Sequence, residues 1–227
     1  MKGQESDIVC LQELGTETDW SHFDAESFVS ALGNGYEYHQ AGTTAVLWNP
    51  SLYTALETGN VDCTISAENG GDGYSRICAW VKLKRIEDNA VFYIVSAHLD
   101  LNKPNDSARV LVNYFNGFDR VIVAGDFNAD ETRKSVQNLF ADAAYTNTNV
   151  DFTKVLAENA NLQDDWNHDA DGYPSNFGLT PTFPTHNTII DWCYVKGGFT
   201  VSEFEVVSSA GDTASDHYPI YVELKVR

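Results

Sequence analysis

A chain of 227 residues, 43% hydrophobic and 12% aromatic, carries enough apolar material for the core of one large domain. Its 14 Lys+Arg against 33 Asp+Glu leave a formal net charge of -19 and a pI near 4.4. That balance argues against a protein that grips polyanions with a broad basic face, and makes any phosphate-rich ligand depend on a cation or a local groove. The acidic residues are dispersed, so no acidic tail is indicated. No apolar run reaches the ~18 residues of a membrane span, and the opening MKGQESDIVC has no signal-peptide core. A soluble protein is expected, either cytoplasmic or secreted with its signal removed.

In chain order, DIVCL predicts a short strand and SHFDAESFVSALG a helix, with Phe23, Phe28, Val29 and Leu32 near helical spacing and Gly33 as its stop. YEYHQ, TTAVLWN and LYTALET are short β-type runs split by Gly and Pro, which predict a meander. AENGGDGYS is a Gly-rich loop. RICAWVKLKR alternates as a half-buried strand does, and NAVFYIVSAHL is a stronger strand. NDSARVLVNYFNGF predicts a helix capped by Asn105 or Asp106, and RVIVAGDF a strand. From Glu131 to Asp165 the pattern is helix and loop, and DADGYPSNFGLTPTFPTHN is irregular. TIIDWCYV, TVSEFEVVS and HYPIYVELKV close the chain as three strands. Mixed strands with interspersed helices favour two sheets packed face to face with helices outside.

Cys10, Cys63, Cys78 and Cys193 show no CxxC and no ligand spacing. Three of them sit in apolar runs, where a thiol is usually a small buried hydrophobe. A zinc site is not expected, and disulfides stay open.

The polar residues that end the strands recur in type. Glu13 ends DIVCLQE, His98 ends FYIVSAH, Asp126 and Asn128 end VIVAGDFN, Asp191 lies in TIIDW, and Asp216 with His217 opens the last strand. Asp126 and Asn128 are two residues apart, a spacing that aims both side chains to one face if the segment is extended. Polar groups at the same ends of neighbouring strands converge, and this set suits phosphate ester hydrolysis. A magnesium ion takes one or two carboxylates, with water and substrate phosphate completing its shell. Glu13 would serve as such a ligand. His217 beside Asp191 or Asp126 would act as general base, and His98 would donate to a non-bridging phosphate oxygen.

Taken in order, LQE, SAHLD, GDFN, IDW and SDHYP resemble the endonuclease/exonuclease/phosphatase superfamily with the DNase I-like fold, from Gln12 to Pro219. The resemblance implies a single domain over residues 1–227, built as a four-layer α/β/β/α sandwich of two mixed, mainly antiparallel sheets. It implies a phosphoesterase dependent on Mg²⁺, with Mn²⁺ as an alternative. Glu13 matches the metal ligand and Asp216 the terminal ligand. His98 matches the histidine on the scissile phosphate, Asp126 the carboxylate that activates or orients water, and Asn128 the amide that orients substrate. Asp191 and His217 look like the acid–histidine pair. Arg76 and Arg109 occupy two places where relatives often have arginine; Arg76, near a strand end, reads as a substrate-phosphate contact against the alternative of a surface ion pair, and Arg109 reads as structural. Tyr74 reads chiefly as a loop residue, with substrate contact the lesser alternative. His39, His168 and His186 lack motif context, and Trp80 and Trp192 read as core.

The resemblance departs at its start. Relatives begin with an extra strand carrying an asparagine ahead of this glutamate, whereas the first Asn here is Asn34. A truncated N-terminus is the favoured reading. The expected substrate is a small or medium phosphate ester. A nuclease acting on DNA or RNA is the close alternative, though QELG stands where the exonuclease III branch has QETK, and the net charge disfavours duplex binding. A non-catalytic binding module is the alternative of another class. No membrane span and a monomer are expected.

Overall fold

The computed structural model describes residues 6–15, 23–33, 35–158, 178–210 and 215–227. Its centre is a six-stranded sheet in the order β4-β5-β6-β7-β9-β8. These strands are β4 (Tyr53–Asp62), β5 (Ile77–Arg85), β6 (Val91–His98), β7 (Val121–Asp126), β8 (Tyr145–Asn147) and β9 (Asp191–Lys196). The β6–β7 pair is parallel and the other pairs are antiparallel. The parallel pair is joined through α2 (Pro104–Tyr114), as a parallel connection requires a crossover. A second layer comes in two pieces. β1 (Ile8–Leu11), β3 (Thr44–Trp48) and β2 (Glu37–Ala41) form one, and β10 (Phe199–Val206) with β11 (Ile220–Val226) forms the other. Among the described residues β1 pairs with β3 alone and β11 with β10 alone.

Three apolar cores separate four layers. One lies between the large sheet and the helices α2, α3 (Lys134–Asp142) and α4 (Val150–Glu158), with Leu111, Phe115, Phe140 and Phe152 packed on Trp80, Val95, Val123 and Trp192. The second lies between the sheets, where Ile8, Val46, Phe199 and Val222 meet Val81, Ile94, Ile122 and Cys193. The third packs α1 (Ala25–Leu32) through Phe28, Val29 and Leu32 on Leu11 and Leu47. This is the expected α/β/β/α sandwich.

Side-chain parity explains what each strand end presents. In β6, Tyr93, Val95 and Ala97 face the helices, while Phe92 and Ile94 face the second layer. In β7, Val121 and Val123 face the helices and Ile122 and Ala124 the second layer; in β9, Cys193 and Val195 also face the second layer. Continuing the period of two, His98, Asp126 and Asp191 all point into the space between the sheets, at the end where that apolar core stops.

Several local expectations are corrected. The three runs taken as a meander separate after β3: β2 and β3 form a hairpin, whereas β4 joins the edge of the large sheet. The alternation in LYTALET shows a strand but not which sheet it joins. Phe23 lies outside α1 and is exposed; Asp24 is the N-cap, accepting from the Ser27 amide at 2.8 Å, and Gly33 ends the helix at φ 70° as expected. Neither Asn105 nor Asp106 caps α2. Pro104 occupies its first turn, and Asp100 Oδ1 accepts from the amides of Asn102 and Lys103 just before it. β8 lies in a stretch whose pattern reads as helix and loop, and β9 begins at Asp191 rather than Thr188. Residues 159–177, which hold His168, lie outside the described residues.

Candidate active site

Register brings three of the singled-out residues into one row. His98 pairs with Asp126 across the parallel β6–β7 ladder, and Asp126 pairs with Asp191 across the antiparallel β7–β9 ladder. All three are buried. His98 Nε2 stands 3.5 Å from Asp126 Oδ2, and His217 Nδ1 lies 2.9 Å from Asp191 Oδ2. Four polar side chains thus line one end of the inter-sheet space.

Their charges follow from that packing. Burial, then the positive charges of Arg76 and His217, hold His98 down at about 3, so it is a neutral imidazole near neutral pH. Its Nδ1 is buried with no hydrogen-bond partner among the described residues. For His217 burial acts downward, but the hydrogen bond and charge of Asp191, with Asp126 and Asp216, win and raise it to about 9. Burial, followed by repulsion from Asp191 and a smaller contribution from Glu13, pushes Asp126 up to about 7.

Asn128 reaches the site differently from the extended spacing expected. β7 ends at Asp126, and Asn128 takes a left-handed conformation at φ 47°. Its amide N–H donates to Asp126 Oδ1 at 2.7 Å, and its Nδ2 donates to Leu99 O at 2.8 Å. The Asp126 side chain is therefore tied to the Asn128 backbone by an Asx turn. Gly125, just before them, is held at φ 143°; a Cβ there would sit 2.1 Å from Ala97 O.

Glu13 lies past the end of β1, exposed and at φ 59°. Behind it, Gln12 Nε2 donates to Ser96 Oγ and Ser96 Oγ donates to Leu11 O, both at 2.8 Å, so β1 is pinned to β6 beneath the row. Asp216 is exposed beside His217, in a cleft of about 320 Å³ lined with Pro184, Thr185 and Ser215. Arg76 is buried in an ion pair with Asp72, at 2.5 Å, rather than in a surface pair. Asp72 also accepts from the Leu101 amide at 2.9 Å, which docks the Gly-rich loop on the segment after β6. Tyr74 is exposed with its ring 5.8 Å from the Arg76 guanidinium. Arg109 is exposed on α2, and with the Asn105 amide turned to satisfy both its contacts it donates to that side chain at 3.2 Å. His39 bonds Gly59 O at 3.1 Å, and Trp80 and Trp192 are core.

Three supporting residues carry no motif. Thr182 Oγ1 accepts from the amides of Ile190 and Asp191 at 3.0 and 3.1 Å, and Thr182 O accepts from the Tyr218 amide at 2.7 Å. It ties both halves of the Asp191–His217 pair to one point. Phe183 stacks on the His217 ring, centroids 4.7 Å apart, and on His186 at the same distance. Glu131 is fully buried and accepts from the Ile189 amide at 3.0 Å, two residues before Asp191. TFP within an irregular stretch and a Glu following GDFNAD were the available signals.

Among the described residues no group of three His, Cys, Asp or Glu side chains is placed to enclose a metal ion. A magnesium ion needs only one or two carboxylates. The crowding of negative charge that raises Asp126, with Glu13 among its sources, is the field that a hard divalent cation neutralises. The donor set fits such an ion.

The sequence matches the profile of the Endonuclease/Exonuclease/phosphatase family over residues 2–217. A search of curated proteins found no match. Among solved structures, the chain is similar to a mannosyl-6-phosphatase from Bacteroides thetaiotaomicron at 20% identity and TM-score 0.66, covering 96% of this chain and 85% of that one. It is similar to the human Nocturnin catalytic domain with bound sulfate at 16% identity and TM-score 0.65, covering 97% and 81%. Zebrafish (D. rerio) TDP2 complexed with a single-strand DNA product gives 16% and 0.64, covering 97% and 86%. At these identities the structures show a shared fold. The profile match, spanning nearly the whole chain, shows that the protein belongs to the endonuclease/exonuclease/phosphatase family.

Proposed function

We propose that this protein is a divalent-metal-dependent phosphoesterase that hydrolyses a phosphate mono- or diester by attack of water on phosphorus. The observation that carries the reading is the row His98–Asp126–Asp191, closed by the 2.9 Å contact of Asp191 with His217. Asp126 orients the attacking water and takes its proton, the base role expected of His217, which its carboxylate neighbours keep protonated near neutral pH. The Asx turn fixes the Asp126 carboxylate, and Asn128, anchored on Leu99, orients the substrate beside it. Neutral His98 donates a hydrogen bond to a non-bridging oxygen. Asp191 holds His217 through Nδ1, leaving Nε2 to meet the charge that develops on the phosphoryl group. Arg76, held by Asp72, adds positive potential beside His98. Glu13 and Asp216 would hold the metal, which supplies Lewis-acid stabilisation of phosphate charge when bound. The domain is a single unit.

A small or medium phosphate ester is the favoured substrate, because a net charge of -19 opposes long polyanions. The DNA-bound TDP2 structure favours the nuclease as second reading. A bis-aryl phosphodiester, an aryl phosphomonoester and plasmid DNA should be assayed in parallel with Mg²⁺, with Mn²⁺ and with chelator. The chain is tested as it stands and extended at its N-terminus. Metal-dependent turnover that His217→Ala abolishes, without loss of fold, is expected, and the preferred substrate separates phosphatase from nuclease. Chelator-insensitive turnover, or wild-type rates in His217→Ala, would sink the mechanism. A folded, metal-binding chain inert on all three substrates would point to the binding-module reading.

A further inference from the structure

Cys63 and Cys78 are fully buried on the helix-facing side of the large sheet, with their sulfurs 3.8 Å apart. Val61 and Cys78 are register partners, and the Cys63 amide donates to Arg76 O at 2.8 Å. The two thiols are therefore diagonal neighbours on one face, at the two ends of the Gly-rich loop that carries Asp72, Tyr74 and Arg76. Both are free thiols, as are Cys10 and Cys193. Cys10 Sγ lies against Val95 O at 3.8 Å, and both it and Cys193 belong to the core between the sheets.

We propose that Cys63 and Cys78 form an oxidisable dithiol, a covalent modification site that takes a two-electron oxidant of the hydroperoxide or small-disulfide class and closes as an intramolecular disulfide. With hydrogen peroxide, one thiolate attacks the O–O bond, giving a sulfenic acid and releasing hydroxide, which its former proton neutralises as water. The second thiol then displaces the sulfenic oxygen as a second water, and the S–S bond forms. Two electrons and two protons leave the thiols and reduce one peroxide. The sulfurs must close to ~2.05 Å, a shift available to Cys63 because it sits past the end of β4, where the loop begins. Buried sulfurs meet the oxidant only when this segment opens. Once formed, the bond staples the loop at its base. That loop is docked through Asp72 onto the Leu101 amide and onto Arg76, so oxidation fixes Arg76 beside His98.

The test uses the full chain and needs no activity. The native protein is exposed to hydrogen peroxide, and a second sample is refolded in a glutathione redox buffer. Each is then unfolded with an alkylating reagent, digested and mass-mapped. The expected result is loss of two of the four alkylatable thiols, one cross-linked peptide joining Cys63 to Cys78 and lighter by two hydrogens, and full recovery on reduction. Cys63→Ala and Cys78→Ala, two separate variants, should each lack that peptide while folding as the parent does. Four alkylatable thiols in both samples, over-oxidation without a cross-link, or a cross-link through Cys10 or Cys193 would overturn the assignment.

Discussion

Replacing Glu131 with Gln should stabilise the protein above neutral pH and do almost nothing below about pH 4.5. Glu131 is fully buried and, by burial first, its carboxyl is raised from 4.5 to about 7. A carboxyl raised on folding contributes stability that is present below its unfolded value and is lost as pH rises through the folded one. A gap of roughly 2.5 units at about 1.36 kcal/mol each makes the ionised side chain cost about 3 kcal/mol at pH 8 relative to pH 4. Gln is nearly isosteric, keeps an acceptor for the Ile189 amide at 3.0 Å and does not ionise. Asp126 also titrates near 7, but it is common to both proteins and cancels in their difference. Urea unfolding of parent and Glu131→Gln at half-unit steps from pH 4.5 to 8.5 gives that difference directly. It should grow from near zero to about 3 kcal/mol across the range. A difference that is flat with pH, or a variant less stable than the parent at pH 8, would show that Glu131 is not the buried acid described.

Thr182→Val leaves the Ile190 and Asp191 amides without their acceptor, which should cost about 1–3 kcal/mol for each amide left unpaired and depress kcat more than it raises KM. Thr182→Ser should restore both in denaturant melts and steady-state assays, and wild-type kinetics in the Val variant would remove Thr182 from the positioning of Asp191. Gly125→Ala places a methyl 2.1 Å from Ala97 O. Backbone on both sides cannot give way cheaply, so a loss of about 3 kcal/mol or more is expected, read from Tm and soluble yield. Glu13→Gln should raise the Mg²⁺ concentration for half-maximal turnover about tenfold or more, equivalent to about 1.4 kcal/mol of binding. An unchanged metal titration would exclude Glu13 as a ligand.

The fold and the row of site residues were legible for one reason. Aliphatic runs such as FYIV and VIVAG must be strands, and a polar residue at the end of such a run is placed by parity alone. His98, Asp126 and Asp191 obey that rule. Asn128 does not, because the chain leaves β geometry at Asp126 and its position is set by its backbone amide on the Asp126 carboxylate and its side chain on Leu99 O. Thr182 and Phe183 act through tertiary contacts made by an irregular segment, where no periodicity exists to read. Asp72 and Asp100 look like ordinary turn acids in sequence; that Asp72 accepts from Leu101 and pairs with Arg76 appears only once the loop folds back on the segment after β6. The split of β4 from the β2–β3 hairpin was hidden for a simpler reason. Alternation specifies a strand's two faces but not its neighbours.

The shared parity of His98, Asp126 and Asp191 has a consequence for folding fidelity. In β7 the residues on one face end in a carboxylate and those on the other are Val121 and Val123. A one-residue slip of β7 against β6 would turn Asp126 toward the aromatic core under the helices and push Val123 toward the space between the sheets. Among those apolar side chains the buried acid has no partner. A chain in the wrong register is therefore destabilised by the same carboxylate that lines the candidate site. The residues proposed to carry the chemistry also act as a proofreading signal for strand registration, and mutants that neutralise Asp126 should fold with less discrimination between registers even where they gain stability.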